Sequence, residues 1–528
     1  MCGIFAICYS NTSTNENIRL FSNTIHRGPE MSTYKTINKH ISFGFHRLAI
    51  IDTQMRSNQP LQLDSDIYLI CNGEIFNWKS LKKYHKFRFI SNSDCEIILH
   101  LYKLYGRGLY AIQKLLSLID GEYAFVLYDE TLDTVYACRD HFGVRPLYIG
   151  LNHDTKDIVF ASELKSINLQ YCNHVLPSNI VEVKENLLEF HTYYTIPTPS
   201  LYINNSYNTI IQTIKTLLYD SVQKRMMSDR DIGCFLSGGL DSSLITSIVH
   251  SINPSIQCFS IGLQDSVDVI HAKALVKHIQ MKPSNHHVVY FTVEEGFNCI
   301  RDVIYHLETY DVTTIRASIP QYLLAKYIRE NTDIKVCFSG EGSDELFNGY
   351  LYSHFAPNEY ELENDSKRLL NELYQYDNLR VDRTTAAHGL EVRIPFLDTS
   401  LIEYIFHINP IYRKTTLEKQ LLRDAFKDSN IIPETILYRR KEAFSDAVSS
   451  TSVSWYKTLV SKFIEPLVTD QEYSNAIIKH CSPYSKESYY YRKIFDELFP
   501  NSDHVLSSFW MPKWVHSKDP SATTLTNY

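Results

Sequence analysis

The sequence predicts an α/β protein in two parts. Residues 1–195 read as a strand-rich domain of packed antiparallel sheets, and residues 205–528 as a doubly wound parallel α/β sheet with added helices. Three observations carry this. Up to about residue 190, short runs of β-branched and aromatic residues are separated by turn residues, with few helical stretches between them. A Pro/Ser/Asn stretch follows, Thr195-Ile196-Pro197-Thr198-Pro199-Ser200 and Asn204-Asn205-Ser206, and reads as a linker. Beyond it apolar strands alternate with helical patterns, the signature of a parallel sheet.

Taken in order, 41–51, 67–72, 123–128, 135–139 and 158–161 predict strands, and 94–105 predicts a helix. After the linker, 210–225 has helical apolar spacing. Strands are predicted at 232–236, 256–262, 287–291 and 334–338, and helices at 242–251 and 293–308. From residue 367 onward the pattern is mostly helical, and the last dozen or so residues are polar and expected to be loosely held. There is no internal repeat.

A chain of 528 residues accommodates two large domains, and 44% hydrophobic with 21% charged residues is an ordinary globular balance. The net charge of −8 argues against nucleic acid or an anionic membrane as partner, so any phosphate must be held by local features. No apolar run reaches the roughly 18–20 residues that span a bilayer. The start is apolar but short and lacks a basic leader, so no signal peptide is expected. Eleven cysteines without a C-x-x-C pair argue against a zinc site and a disulfide scaffold, and for a reducing, cytoplasmic setting.

Cys2 follows the initiator Met. Once Met1 is removed, a thiol and a free α-amine sit on one residue, and an amine of unperturbed pKa about 7.7–8 can serve as the base that activates the nucleophile. Arg47 heads an apolar run, Asn72-Gly73-Glu74 ends another, and Ser93-Asp94-Cys95-Glu96 opens a helix. An Asn side chain and a Gly N–H can stabilise a developing oxyanion. An Arg with nearby carboxylates suits a free amino acid, which needs one cationic and one anionic anchor. Each residue also has a plainer reading: a buried thiol, a turn, a surface ion pair and a helix cap.

In the second part, Ser237-Gly238-Gly239-Leu240-Asp241-Ser242 lies between a predicted strand and helix, where backbone N–H groups and the helix N-terminus can approach phosphates. The Walker lysine is absent. Ser339-Gly340-Glu341-Gly342-Ser343-Asp344-Glu345 repeats the logic after the strand at 334–338, so Asp241 and Asp344 are candidate ligands of one Mg²⁺. The plainer readings are a βα turn and a solvated acidic turn.

Two resemblances follow from these residues. Met1-Cys2-Gly3-Ile4-Phe5, His26-Arg27-Gly28-Pro29, 47–51, Asn72-Gly73-Glu74-Ile75-Phe76-Asn77, 93–96, 121–125 and 139–143 resemble, in family order, the class II glutamine amidotransferase domain. That domain is an N-terminal-nucleophile hydrolase with an αββα sandwich. The resemblance implies attack by Cys2 on the glutamine amide, with Asn72 and Gly73 at the oxyanion. It also implies a glutamine-binding set of Arg47, Leu48, Ala49, Ile50, Ile51, Asn72, Gly73, Glu74 and Asp94. Ser237–Ser242, 301–318, 339–350, 389–398 and 440–446 resemble the PP-loop ATP pyrophosphatases, and among them the synthetase domain of the asparagine synthetase B family.

The second resemblance implies ATP contacts from Leu236, Ser237, Gly238, Gly239, Asp241, Ser242, Ile261, Ser339 and Gly340. It gives Glu341 a role in forming and aminating a β-aspartyl adenylate, Lys441 the offsetting of phosphate charge, and Thr314 and Arg316 the binding of aspartate. Mg²⁺, a homodimer and an ammonia tunnel are family expectations. The stretch 262–272 departs from the family's proline-aspartate segment while keeping Asp268; the 251–258 loop and the tail after Trp514 are short. A β-lactam synthetase shares both folds but lacks the N-terminal cysteine. A non-catalytic scaffold would be expected to have lost Cys2, Asp241 or Glu341.

Overall fold

The structure is a computed structural model that describes residues 1–9, 13–152, 154–517 and 519–520. It divides into two compact units. The first is Met1–Thr195 with Met227–Arg230 and Thr385–Glu391, and the second holds the remaining described residues.

The first unit contains twelve strands: β1 (Gly3–Cys8), β2 (Met31–Thr36), β3 (Ile41–Arg47), β4 (Leu61–Leu63), β5 (Ile67–Ile75), β6 (Gly121–Asp129), β7 (Thr134–Arg139), β8 (Tyr148–Asn152), β9 (Asp157–Ala161), β10 (Tyr171–His174), β11 (Asn179–Lys184) and β12 (Leu187–Thr192). They form two six-stranded sheets, ordered β10-β8-β9-β1-β3-β2 and β12-β11-β7-β6-β5-β4. Every pairing is antiparallel. Side-chain alternation builds four layers from these sheets. Ile4, Ala6 and Cys8 of β1 meet Tyr68 and Ile70 of β5 and Ala124 and Val126 of β6 between the sheets. Phe5 and Ile7 face the other way, onto Leu20 and Phe21 of the helix Thr14–Ser22. Leu69, Phe125 and Leu127 face outward onto Ile97, Leu101, Ile112 and Leu115 of the helices Glu96–Leu104 and Gly108–Leu116. This is the predicted αββα sandwich.

The second unit is organised by β13 (Ile232–Phe235), β14 (Gln257–Gly262), β15 (His286–Tyr290), β16 (Val336–Phe338) and β17 (Glu391–Arg393), in the order β15-β14-β13-β16-β17. The first four of that order are parallel neighbours. The chain winds from β13 through β14 to β15, then returns to the far side of β13 as β16. The helices Leu240–Ile252, Val267–His278 and Val312–Asn331 lie within these crossovers. The direction of winding therefore reverses beside β13, the place where open α/β sheets leave a crevice at their strand ends. Beyond β16 the unit is mostly helical, as the sequence predicts, apart from the three-residue β17, which the sequence reading missed.

Three elements differ from the sequence expectation. The strand expected over 41–51 stops at Arg47, because the backbone beyond it is committed elsewhere. The Ala49 N–H donates to Glu30, the Ala49 carbonyl accepts from Arg230, and Asp52 has φ +50. The helix expected from 94 begins at Glu96, and Asp94 is not its cap. The Asp94 carboxylate instead accepts the Ile75 N–H at 2.6 Å, tying the helix entry to the end of β5. The helix expected over 293–308 is two, Val293–Asn298 and Ile300–Leu307, meeting at Cys299 after the weak helix formers Gly296 and Asn298. No helix among the described residues is long and apolar enough to cross a membrane. Most of the polar C-terminal stretch expected to be loosely held, 521–528 with Lys518, lies outside the described residues.

Phe125 is fully buried, whereas Tyr84 is 81% exposed. Phe125→Ala is therefore expected to lower stability by about 3–5 kcal/mol in urea unfolding, and Tyr84→Ala by less than about 0.5 kcal/mol. Equal effects would contradict the layer assignment.

Candidate functional site

Two constellations form, one in each unit. In the first, Cys2 precedes the central strand β1. Its carbonyl accepts from Arg27 Nε at 2.9 Å, and Arg27, fully buried, also pairs with Glu163 at 2.7 Å. The thiol engages one peptide group: the Leu48 N–H donates to Sγ at 3.4 Å and Sγ reaches the Leu48 carbonyl at 3.5 Å. Burial pushes the thiol up to about 11, and the carboxylates of Glu391 and Glu74 push the same way. Glu74 therefore lies within electrostatic range of the thiol. With Met1 in place, the thiol is neutral at physiological pH and its neighbouring nitrogen is a peptide nitrogen. Met1 itself is buried. Its α-amine donates to the Leu390 carbonyl at 3.0 Å, and burial lowers the amine to about 5.

The other predicted glutamine residues lie on β3 and the loop after it, on β5, and at the entry to the helix Glu96–Leu104. Asn72 is buried at the end half of β5 and its Nδ2 has no hydrogen-bond partner, a donor available to an oxyanion. Gly73 and Glu74 continue the strand, and Asp94 fastens Ile75 just beyond it. Arg47 is buried and turned toward the carbonyls of Gln54, at 2.8 Å, and Asp52. Leu48 meets the thiol. The Ile50 carbonyl accepts from Asp229, so Ala49 and Ile50 brace the loop with their backbones, and Ile51 is half-buried beside them.

In the second unit a cavity of about 210 Å³ opens at the ends of β13, β14 and β16. It is lined by Leu236, Ser237, Gly239, Asp241, Ser242, Ile261, Ser339, Gly340, Glu341, Asp344, Thr313, Thr314, Arg316 and Lys441. Segments more than 200 residues apart in the chain are thus brought to one place. Gly238 does not line it. Gly238 has φ +78, and a Cβ there would lie 2.5 Å from the Ala272 nitrogen, so only glycine lets the loop turn against the helix Val267–His278. A Cβ on Gly340 would lie 2.8 Å from the Ser242 nitrogen, because the two loops touch backbone to backbone. The helix Leu240–Ile252 starts at Gly239 without a side-chain cap, which leaves its first N–H groups for an anion.

Charge is balanced pairwise in this cavity. Lys419 Nζ lies 2.6 Å from Asp241 and 2.7 Å from Asp344, and Lys441 Nζ lies 2.6 Å from the other Asp344 oxygen. Burial alone would raise Asp344, but the two ammoniums outweigh it and hold the carboxyl well below its usual range. Burial likewise opposes the charge on Lys441, yet Asp344 and Asp241 keep it above its ordinary value. Burial raises Glu341, against the pull of Arg380, whose Nη2 lies 2.7 Å from it. Asp241 and Asp344 already converge on one cation, so the donor set fits a divalent ion shared with phosphate oxygens.

Sequence reasoning missed several residues here. Lys419, Arg380 with Asp377, and Arg439 all line the cavity. Arg439 donates to the Gly238 carbonyl at 3.0 Å and pairs with Asp268 at 2.8 Å. Burial pushes Asp268 up to about 6, and its retention in an otherwise divergent stretch was the one available signal. Of the predicted pair for the amino-acid acceptor, the Thr314 hydroxyl donates to Asp311 within its own helix cap, at 2.8 Å. The neighbouring Thr313 Oγ1 is buried on the cavity wall without a partner. Arg316 also lines the cavity, and its guanidinium is occupied by two carboxylates, Glu487 and Asp519.

Two known family models together span most of the chain. The family model described as glutamine amidotransferase domain matches residues 1–217, and the one described as asparagine synthase matches 213–370 and 358–519. A probable glutamine-hydrolysing asparagine synthetase of Acanthamoeba polyphaga mimivirus is 43% identical over 529 residues, 94% of each chain. The glutamine-hydrolysing asparagine synthetase of Homo sapiens is 40% identical over 565 residues, covering 100% of this chain and 99% of that one. The Cricetulus griseus enzyme of the same name is 41% identical over 567 residues with the same coverage.

With Met1 present, alkylation of the Cys2 peptide, followed by mass spectrometry, is expected to accelerate up to a pH of about 11. A plateau near pH 8 would contradict the burial that sets this value.

Proposed function

The chain belongs to the glutamine-hydrolysing asparagine synthetases, carbon–nitrogen ligases that use glutamine as amide donor, and we propose how its residues divide that reaction. The observation that carries the assignment is the convergence of Ser237, Gly239, Asp241, Ser242, Glu341, Asp344, Lys441, Thr313 and Arg316 on one cavity.

In the first unit, removal of Met1 frees the Cys2 α-amine, which takes the thiol proton as Sγ attacks the amide carbon of glutamine. Asn72 Nδ2 and the Gly73 N–H receive the oxyanion. The tetrahedral adduct collapses with loss of ammonia to a thioester, and water then releases glutamate. Arg47 holds the substrate α-carboxylate, trading its present carbonyl partners for a stronger charged one. Glu74 and Asp94 hold the α-amine. Because Met1 is buried, its removal must precede folding.

In the second unit, ATP lies with its adenosine against Leu236, Ile261, Ser339 and Gly340. Its phosphates lie at Ser237, Gly239, Ser242 and the helix N-terminus. Asp241 and Asp344 would hold Mg²⁺, which when bound supplies charge neutralisation of the pyrophosphate. Lys419 and Lys441 then turn from these carboxylates to phosphate oxygens. An oxygen of the aspartate β-carboxylate attacks the α-phosphorus and pyrophosphate leaves, giving β-aspartyl-AMP. Ammonia attacks the acyl carbon, and AMP departs with that oxygen as asparagine forms. Glu341, oriented by Arg380, accepts the proton shed by the incoming nitrogen. Thr313 and Arg316 hold the aspartate.

Cys2→Ala is expected to reduce glutamine-dependent asparagine formation by at least ~10³-fold and leave ammonium-dependent formation within about twofold. Glu341→Gln is expected to reduce both by roughly 10²-fold or more. Equal loss of both nitrogen sources in Cys2→Ala would refute the division of labour.

A further inference from the structure

The Arg316 guanidinium is fully engaged. Nε and Nη2 bind Glu487 at 2.8 and 2.5 Å, Nη1 and Nη2 bind Asp519 at 3.0 Å each, and the group rests 4.3 Å from the Tyr456 ring centre. The two carboxylates differ in how firmly they are held. The Glu487 side chain is 2% exposed and also accepts from Tyr491 at 3.0 Å. The Asp519 side chain is 31% exposed, and the Asp519 N–H donates to Ser517 Oγ at 3.2 Å. The segment runs along the nucleotide cavity, since Trp510 and Pro520 line its wall. The Trp510 N–H donates at 2.8 Å to Asp311, which caps the helix carrying Thr313 and Arg316.

A guanidinium offers two edges for bidentate carboxylate binding, and here both are taken. A third carboxylate cannot be added without displacing one of the two, and the exposed one is Asp519. Its side chain is also the same chemical group, a β-carboxylate on a two-carbon stem, as the free amino acid proposed to bind Arg316. We propose that Asp519 is an internal competitor for aspartate. It occupies Arg316 in the resting enzyme and must leave before substrate aspartate can bind.

The inference rests on the assignment of Arg316 to aspartate binding. Its consequence is quantitative: apparent affinity falls in proportion to the fraction of molecules in which Asp519 is off Arg316. A half-exposed bidentate pair that is closed in most molecules would raise the aspartate KM about five- to tenfold. Closure costs nothing in turnover once aspartate is bound, so kcat and the ATP KM are insulated from it.

The test uses the full chain with ammonium as nitrogen source and saturating Mg·ATP. Asp519→Asn is expected to lower the aspartate KM about five- to tenfold, with kcat and the ATP KM within about twofold, and Asp519→Glu to restore most of the original KM. Arg316→Lys is run beside it. An unchanged or raised aspartate KM in Asp519→Asn, with Arg316→Lys raising it strongly, overturns the competitor while leaving Arg316 as an aspartate residue. An unchanged aspartate KM in Arg316→Lys overturns the assignment of Arg316 itself, and the competitor with it.

Discussion

The second unit depends on one chain of charges at the strand ends, Asp241–Lys419–Asp344–Lys441, in which Lys419 is buried and the other three are half-buried. It joins the first turn of the helix Leu240–Ile252, the helix Ser343–Phe347 after β16, the residue that precedes the helix Gln420–Phe426 and the loop at 441. Each of these groups alone would be costly to bury, and removing one partner from a buried pair typically costs about 3–5 kcal/mol. The chain is tolerable because every charge has an opposite charge within hydrogen-bonding distance. Such an arrangement adds little stability over an apolar core, but it leaves two ammoniums and two carboxylates in place beside the cavity. Preorganised charge of this kind needs little rearrangement when the reaction develops its own.

The first unit solves a different problem. Its proposed nucleophile, a cysteine, is held firmly, and the proposed chemistry waits on release of its α-amine. Arg27 fixes the Cys2 carbonyl, Leu48 fixes the thiol, and burial suppresses ionisation. The reactive pieces lie at or just beyond strand ends: Cys2 before β1, Leu48 after β3, and Asn72–Glu74 in the last part of β5. Antiparallel pairing of β1 with β3, with Gly3 opposite His46, brings the first two within reach of each other. The braces at Ala49, Ile50 and Asp52 keep the loop after β3 from continuing as a strand.

Much of this was legible in the sequence, and for physical reasons. Short runs of β-branched and aromatic residues foretold β5 and β6, and the Gly-rich turns after β13 and β16 marked the loops that line the cavity. What escaped is long-range and polar. Lys419 and Arg380 sit in stretches whose local pattern is simply helical, and nothing near them names Asp344 or Glu341 as partner. The engagement of the Thr314 hydroxyl follows from Asp311, which claims Thr314 as a cap, a competition that spacing alone does not resolve. Strand and helix ends moved by a few residues wherever a side chain captured backbone, as Asp94 does at Ile75.

The account centres on transfer of AMP to the aspartate β-carboxylate in the second unit. The most direct measurement is to supply aspartate labelled with ¹⁸O in that carboxylate and follow the label by mass spectrometry during asparagine formation. One labelled oxygen in AMP and none in pyrophosphate is the predicted result, because the attacking oxygen stays on the α-phosphorus when ammonia displaces it. Label in inorganic phosphate, or ADP in place of AMP, would mean that the carboxylate is activated at the γ-phosphorus, and the arrangement of ATP in the cavity proposed here would be wrong.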